Sequence, residues 1–218
     1  EAGIVMEFEA QKKRLKKELR QHGISERVLE AMRKVPRHLF VPEREQKNAY
    51  IDCPLSIGWN QTISAPHMVA IMCDLLDIQD GMKILEIGSG SGYHAAVMGT
   101  LAGKGHVYAV EVIEHFASFA LDNLKKAGIT NVTIIIDDGS IGLPYFAPYD
   151  RISVACAAPE ILQPLTEQLK QGGKLVIPVG KNYQEQELYL VTKIDGLKTE
   201  AEGGVVFVPL VGKKGFHY

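Results

Sequence analysis

KILEIGSGSG, Lys83 to Gly92, carries a short apolar run, Ile84, Leu85 and Ile87, that ends in glycines at alternate positions, Gly88, Gly90 and Gly92. Tyr93 to Met98 then reads as a helix. A buried strand, a glycine turn and a helix make a nucleotide-binding corner. The glycines let the backbone turn tightly and approach a ligand, and the helix start offers free N–H groups. The pattern is G-x-G-x-G, with Tyr93 where a dinucleotide fingerprint has its third glycine. No Lys-Ser/Thr follows, so it is not a phosphate-gripping P-loop. Glu111 lies nineteen residues beyond Gly92, at the end of the next apolar run. A carboxylate there can accept both ribose hydroxyls of a nucleoside.

Outward from this corner, strands and helices alternate. Met82–Gly88 and Gly105–Glu111 read as strands one and two, with a helix over Ile113–Ala127 closed by Gly128. Val132–Ile136 is strand three, Arg151–Cys156 strand four, and Lys174–Val179 strand five after Gly172–Gly173, with a helix over Pro159–Leu169. Near-continuous apolar strands alternating with helices predict an α/β fold: a doubly wound, mostly parallel Rossmann-like sheet. Gln186–Ile194 and Val205–Leu210 alternate instead, with a turn near Asp195–Gly196, and predict an antiparallel C-terminal pair. Upstream, Glu7–His22 and a Ser25-capped segment ending at Pro36 read as N-terminal helices, and Arg37–Val41 as an extended connector. Ala49–Ala65 has no helical or strand period, and Pro66–Leu76 is helical with Ser64 where an N-cap belongs. The expected organisation is one domain, 1–218. It has an N-terminal extension and active-site segment (1–80), a cofactor-binding core (81–180) and C-terminal strands (181–218).

Composition bounds the function. A chain of 218 residues with 46% hydrophobic content supports a sizeable core. A formal net charge of −2 gives no electrostatic case for nucleic acid. The basic residues of Glu7–His22 interleave with Glu7, Glu9 and Glu18 and read as a solvated face. No apolar run reaches the roughly 20 residues of a membrane span. No signal-peptide pattern opens the chain, and Cys53, Cys73 and Cys156 have no metal-ligand spacing. The expectation is a cytoplasmic monomer with reduced thiols, no metal, and neither nucleic acid nor membrane as partner.

Glycine loop, strand and downstream acid together resemble the cofactor site of S-adenosylmethionine-dependent methyltransferases. The resemblance narrows to the protein L-isoaspartate (D-aspartate) O-methyltransferases along VPRHLFVP (Val35–Pro42), AYIDCPLSIG (Ala49–Gly58), QTISAPHMVA (Gln61–Ala70), PYDRISVACAAPEIL (Pro148–Leu162), LKQGGKLVIPVG (Leu169–Gly180) and FVPLVG (Phe207–Gly212). Asp137 stands where that family usually has Gly, and Cys156 where it has a small residue. The resemblance implies S-adenosylmethionine as methyl donor. The acceptor would be the α-carboxylate of L-isoaspartyl residues, with D-aspartyl residues as a second candidate, in peptides and damaged proteins. The ester would then close to a succinimide as the first step of repair.

It further implies a donor site of Ile63, Glu86, Gly88, Ser89, Gly90, Gly92, Glu111, Val112, Asp138 and Gly139. Asp138 would accept from the adenine amino group, with Gly139 N–H facing the ring, and Glu86 would order the glycine loop or the methionine ammonium. The acceptor side would be Thr62, Ser64, Ala158 and Val208, with Ser64 as the catalytic positioning residue. From the residues alone, Ser64 is equally a helix cap, Asp137–Asp138 has a solvated turn as its alternative reading, and His67 is a structural or solvent-facing side chain. An acceptor carboxylate is already ionised near neutral pH, so no general base is required. Three other readings fit the glycine corner: a methyltransferase acting on RNA or a small molecule, a nicotinamide oxidoreductase, and a cofactor-sensing module without turnover.

Overall fold

The computed structural model describes residues 2–181 and 183–217. Strands β1 (Leu55–Gly58) and β2 (Gln61–Ile63) form a small hairpin, and seven more build the main sheet. These are β3 (Lys83–Ile87), β4 (His106–Glu111), β5 (Val132–Ile136), β6 (Tyr149–Val154), β7 (Leu169–Val179), β8 (Gln186–Lys193) and β9 (Leu197–Val205), in the spatial order β5-β4-β3-β6-β7-β8-β9. The first five are mutually parallel, while β8 runs antiparallel to both β7 and β9. Strand order reverses at β3, which has β4 on one side and β6 on the other. Ligands of open α/β sheets bind outside the strand ends at such a switch point.

β3 shows how the sheet is held. Its side chains alternate, so Ile84 enters one apolar cluster and Leu85 and Ile87 the other. The first cluster lies under helices α1 (Ala2–Gln21), α2 (Glu26–Lys34), α3 (Pro66–Leu76), α4 (Tyr93–Ala102) and α5 (Glu114–Lys126). The second lies under irregular segments and the short α6 (Gln163–Gln168). Each fully buried Ile or Leu contributes about 1.5–3 kcal/mol.

Gly92 is required by packing. It starts α4 with φ +87°, and a Cβ built on it would lie 3.2 Å from the Cβ of Ala120 in α5. Gly92→Ala is expected to cost about 1–2 kcal/mol for the left-handed backbone alone. At about 2–4 °C per kcal/mol for a chain this size, Tm falls by several degrees. An unchanged Tm in calorimetry contradicts this packing argument.

Several boundaries differ from the sequence reading. α1 begins at Ala2 rather than Glu7. Arg37–Phe40 is a 3-10 turn, not an extended connector, because the Arg37 side chain is drawn into the interior. Ala49–Ala65 contains the β1–β2 hairpin, whose two-residue turn, Trp59–Asn60, has φ of +52° and +56°. Positive φ at both positions is the requirement of a tight hairpin turn. The helix expected over Pro159–Leu169 shrinks to α6, because Ala158 is still bridged to Val179 and Leu169 already pairs with Tyr149. The last strand is Leu197–Val205, not Val205–Leu210. Its polar, mostly exposed sequence pairs through the backbone with β8, and Phe207–Leu210 leaves the sheet to run back over the strand ends.

Candidate active site

The glycine loop is tied to the end of β4. Gly88 N–H donates to the Val110 carbonyl at 2.8 Å, and Gly90 N–H to Glu111 Oε1 at 2.9 Å. Glu111 Oε2 accepts from Ile113 N–H at 3.1 Å. Burial raises the Glu111 pKa, against the opposing effect of the Gly90, Ile113 and Val112 N–H groups. The carboxylate keeps acceptor capacity on both oxygens and lines a cleft of about 410 Å³. That volume is in the range of small-molecule sites.

One wall is the hairpin and the residues after it. Trp59 at its tip stacks on His115 of α5, with ring centroids 4.7 Å apart and planes within 5°, so the hairpin spans from α3 to α5. Gln61, Thr62, Ile63 and Ser64 face the cleft. Ser64 is not the cap expected from sequence. The N-cap of α3 is Ala65, without a side-chain bond, and Asp52 does the capping from a distance. Asp52 Oδ1 accepts from His67 N–H at 2.9 Å and from the His67 ring Nδ1–H at 2.9 Å, which leaves His67 a structural role. The first turn of α3 therefore has little to offer a ligand. Pro66 has no N–H, His67 N–H goes to Asp52, and Met68 N–H goes to the Ala65 carbonyl. Ser64 is left with a hydroxyl not spent on capping.

Arg37 holds this wall from behind. It is completely buried and donates to the carbonyls of Ala49 at 2.7 Å and Ser64 at 2.9 Å. Its guanidinium lies 4.7 Å from the centroid of the Tyr93 ring, at the start of α4. One residue thus fastens both ends of the active-site segment to the helix that follows the glycine loop.

The opposite rim is made by the chain end. Ala157 N–H donates to the Val208 carbonyl at 2.7 Å and Leu210 N–H to the Ala157 carbonyl at 2.8 Å, which brings Val208–Val211 to the cleft. Asp138 anchors the segment beyond. Its Oδ2 accepts from Lys213 N–H at 2.8 Å, and its Oδ1 from Ser140 N–H at 3.0 Å and Ser140 Oγ at 2.6 Å. Burial alone would raise the Asp138 pKa, but the Lys213 and Ser140 donors outweigh it and hold the group below its ordinary value.

Ten of the residues singled out from sequence share the cleft wall: Thr62, Ile63, Ser64, Gly88, Ser89, Gly90, Glu111, Val112, Gly139 and Val208. Four do not. Glu86 is completely buried beneath the loop, Gly92 is buried against Ala120, Asp138 faces Ser140 and Lys213, and Ala158 is fully buried at its bridge to Val179. Val69, His94 and Cys156 join the wall without having been singled out for it.

A family model for protein-L-isoaspartate(D-aspartate) O-methyltransferase matches residues 10–215. The chain belongs to this family. A protein-L-isoaspartate O-methyltransferase of Methanococcoides burtonii is 58% identical over 199 residues, covering 91% of this chain and 98% of the relative. Protein-L-isoaspartate O-methyltransferase 1 of Archaeoglobus fulgidus is 52% identical over 213 residues, covering 97% and 98%. A solved protein-L-isoaspartate O-methyltransferase superposes with a TM-score of 0.87 at 31% identity, covering 94% of this chain and 67% of that one. A Plasmodium falciparum protein described as such an enzyme, crystallised with S-adenosyl-L-homocysteine, gives 0.82 at 30% identity and coverages of 91% and 97%. As a member of the isoaspartate O-methyltransferases, the chain shares the mixed, mostly parallel sheet of these solved relatives. No helix among the described residues is long and apolar enough to cross a membrane.

Proposed function

We infer that the protein catalyses S-adenosylmethionine-dependent methylation of the α-carboxylate of L-isoaspartyl residues in peptides and damaged proteins, initiating repair through a succinimide. The supporting observation is a single cleft that joins a glycine loop and buried carboxylate, suited to a nucleoside, to a serine free of structural duty. Bound S-adenosylmethionine supplies an activated methyl group. Glu111 accepts from the ribose hydroxyls. Val112, 48% exposed, gives the base an apolar face, with Gly139 on the same cleft wall. Asp138, spent on Ser140 and Lys213, lies off the cleft wall and supports Gly139 at the base end, and any contact with the adenine amino group falls to its one remaining acceptor site. Ser64 Oγ orients the acceptor carboxylate, and Thr62 and Val208 flank the peptide.

The chemistry asks for alignment and exclusion of water, not proton removal. The groups around the cleft agree. Burial holds the His94 imidazole down to about 4, so it is neutral at working pH, and burial pushes the Cys156 thiol up. Incubation with an isoaspartyl peptide is expected to yield a base-labile methyl ester at a rate nearly flat above about pH 6, since the acceptor is already ionised. A base-stable product, or a steep rise through about pH 7–9, rejects the carboxyl-methylation mechanism.

A further inference from the structure

Cys156 stands where the two sides of the cleft meet. It follows β6, and backbone hydrogen bonds pin the chain on either side of it. Ala155 N–H donates to the Ile87 carbonyl at 2.9 Å, at the end of β3, and Ala157 N–H to the Val208 carbonyl at 2.7 Å, on the C-terminal rim. The thiol is 6% exposed, lines the cleft, and lies 3.8 Å from the Ile87 carbonyl oxygen, toward which it donates weakly. A Cβ built on Gly88, where the glycine loop begins, would lie 3.4 Å from Cys156 Sγ. One side chain therefore packs on the donor loop and adjoins the acceptor rim. Next to Gly88, the Ser89 hydroxyl lines the same cleft, 5% exposed and without a partner. Buried polar groups are paired in nearly all native structures, so this orphan marks a place that a ligand fills.

The sheet order says which part of the ligand comes nearest. β4, β3 and β6 are successive neighbours, about 4.8 Å apart. A ribose held by Glu111 at the end of β4 carries its sulfur one methylene beyond the ring. The sulfur then lies about one strand spacing on, over the end of β3, and Cys156 after β6 is the next wall. Burial raises the pKa of the thiol, so it stays neutral. A thiolate facing a sulfonium would itself be alkylated, whereas a neutral thiol is an inert wall.

Resting on the donor reading above, we propose that Cys156 sets the size of the alkyl group transferred, its thiol closing the space beside the donor's sulfur so that a methyl fits and an ethyl does not. The transfer itself is the same for both groups. A lone pair of the acceptor carboxylate forms the new C–O bond, the C–S bond breaks, and its electron pair returns to sulfur, leaving S-adenosylhomocysteine. The two donors differ at the enzyme in the room they need, and the backbone bonds flanking Cys156 keep its wall from yielding.

S-adenosylmethionine and S-adenosylethionine competing for one isoaspartyl peptide test this, with the methyl and ethyl esters resolved by mass. The readout is the ethyl-to-methyl ratio of kcat/KM, compared between variants because ethyl transfer is slower by its own chemistry. One methylene in a fitted pocket is worth about ten- to two-hundredfold, so Cys156→Gly is expected to raise the ratio at least about tenfold. Cys156→Ala, which removes the sulfur alone, is expected to raise it by less. Cys156→Ser, close in size, is expected to keep the wild-type ratio, and Cys156→Val to lower it. A merely structural role would lower both transfers together and leave the ratio where it was. Calorimetry with S-adenosylhomocysteine shows which variants are folded. An unchanged ratio in folded Cys156→Gly or Cys156→Ala overturns the proposal, as does wild-type protein that transfers ethyl as readily as methyl. Wild-type protein that binds S-adenosylhomocysteine yet transfers neither group to the peptide overturns the carboxyl-methylation reading instead, so the two failures are told apart.

Discussion

Glu111→Ala is expected to weaken S-adenosylhomocysteine binding by about a hundredfold or more. Two charge-assisted hydrogen bonds to a ribose contribute about 1.5–3 kcal/mol each. Each 1.4 kcal/mol is about tenfold in affinity. The side chain has a second role. It ties Gly90 N–H and Ile113 N–H together across the cleft, so its removal also frees the glycine loop. Glu111→Asp, one methylene shorter, cannot reach both N–H groups and the ribose at once and is expected to fall between. Calorimetry that finds Glu111→Ala equal to wild type removes Glu111 from the donor site.

Arg37→Met is expected to cost both stability and turnover. It leaves the Ala49 and Ser64 carbonyls without their donor and removes the cation over Tyr93. Unpaired buried acceptors cost about 1–3 kcal/mol each, so the loss is about 3 kcal/mol and Tm falls by about 6–12 °C. Below the new Tm, kcat for an isoaspartyl peptide should fall more than KM rises, because Ser64 loses its backbone anchor. A misplacement of about 1 Å can cost about a hundredfold in rate. Arg37→Lys restores one donor and is expected to recover part of the stability but less of kcat, as one ammonium cannot serve both carbonyls with the guanidinium's geometry. Full turnover in folded Arg37→Met would show that the anchor does not matter to Ser64.

The residues that were legible in sequence act locally. β3, the glycine loop and α4 follow one another directly, and Glu111 is found by its spacing from Gly92. The unforeseen contacts join distant positions. Asp52 caps α3 from fifteen residues away, so the cap signal at Ser64 misleads. Asp138 is met by Lys213, 75 residues on, and no local rule could foresee that the chain end would claim its carboxylate. Arg37, between Pro36 and His38, reads as part of an extended connector, yet tertiary contacts pull it fully inside. β9 was missed because its sequence, LKTEAEGGV, lacks the apolar alternation that marks a strand with one buried face. The hairpin turn was missed for a related reason. Trp59–Asn60 takes positive φ where Asn-Gly is the usual signal, and the Trp59 stack on His115 compensates from outside the turn.

The central claim is that the cleft aligns an isoaspartyl α-carboxylate with the donated methyl group and rejects a normal aspartate by position. Two synthetic peptides of one sequence, linked at a single residue through Asp in one and isoAsp in the other, test it with labelled S-adenosylmethionine. The expected result is methyl-ester formation on the isoaspartyl peptide with kcat/KM at least about a hundredfold above the aspartyl one, as near-attack geometry tolerates only small displacement. Equal labelling of both peptides, or of neither under conditions where the donor binds, would contradict it.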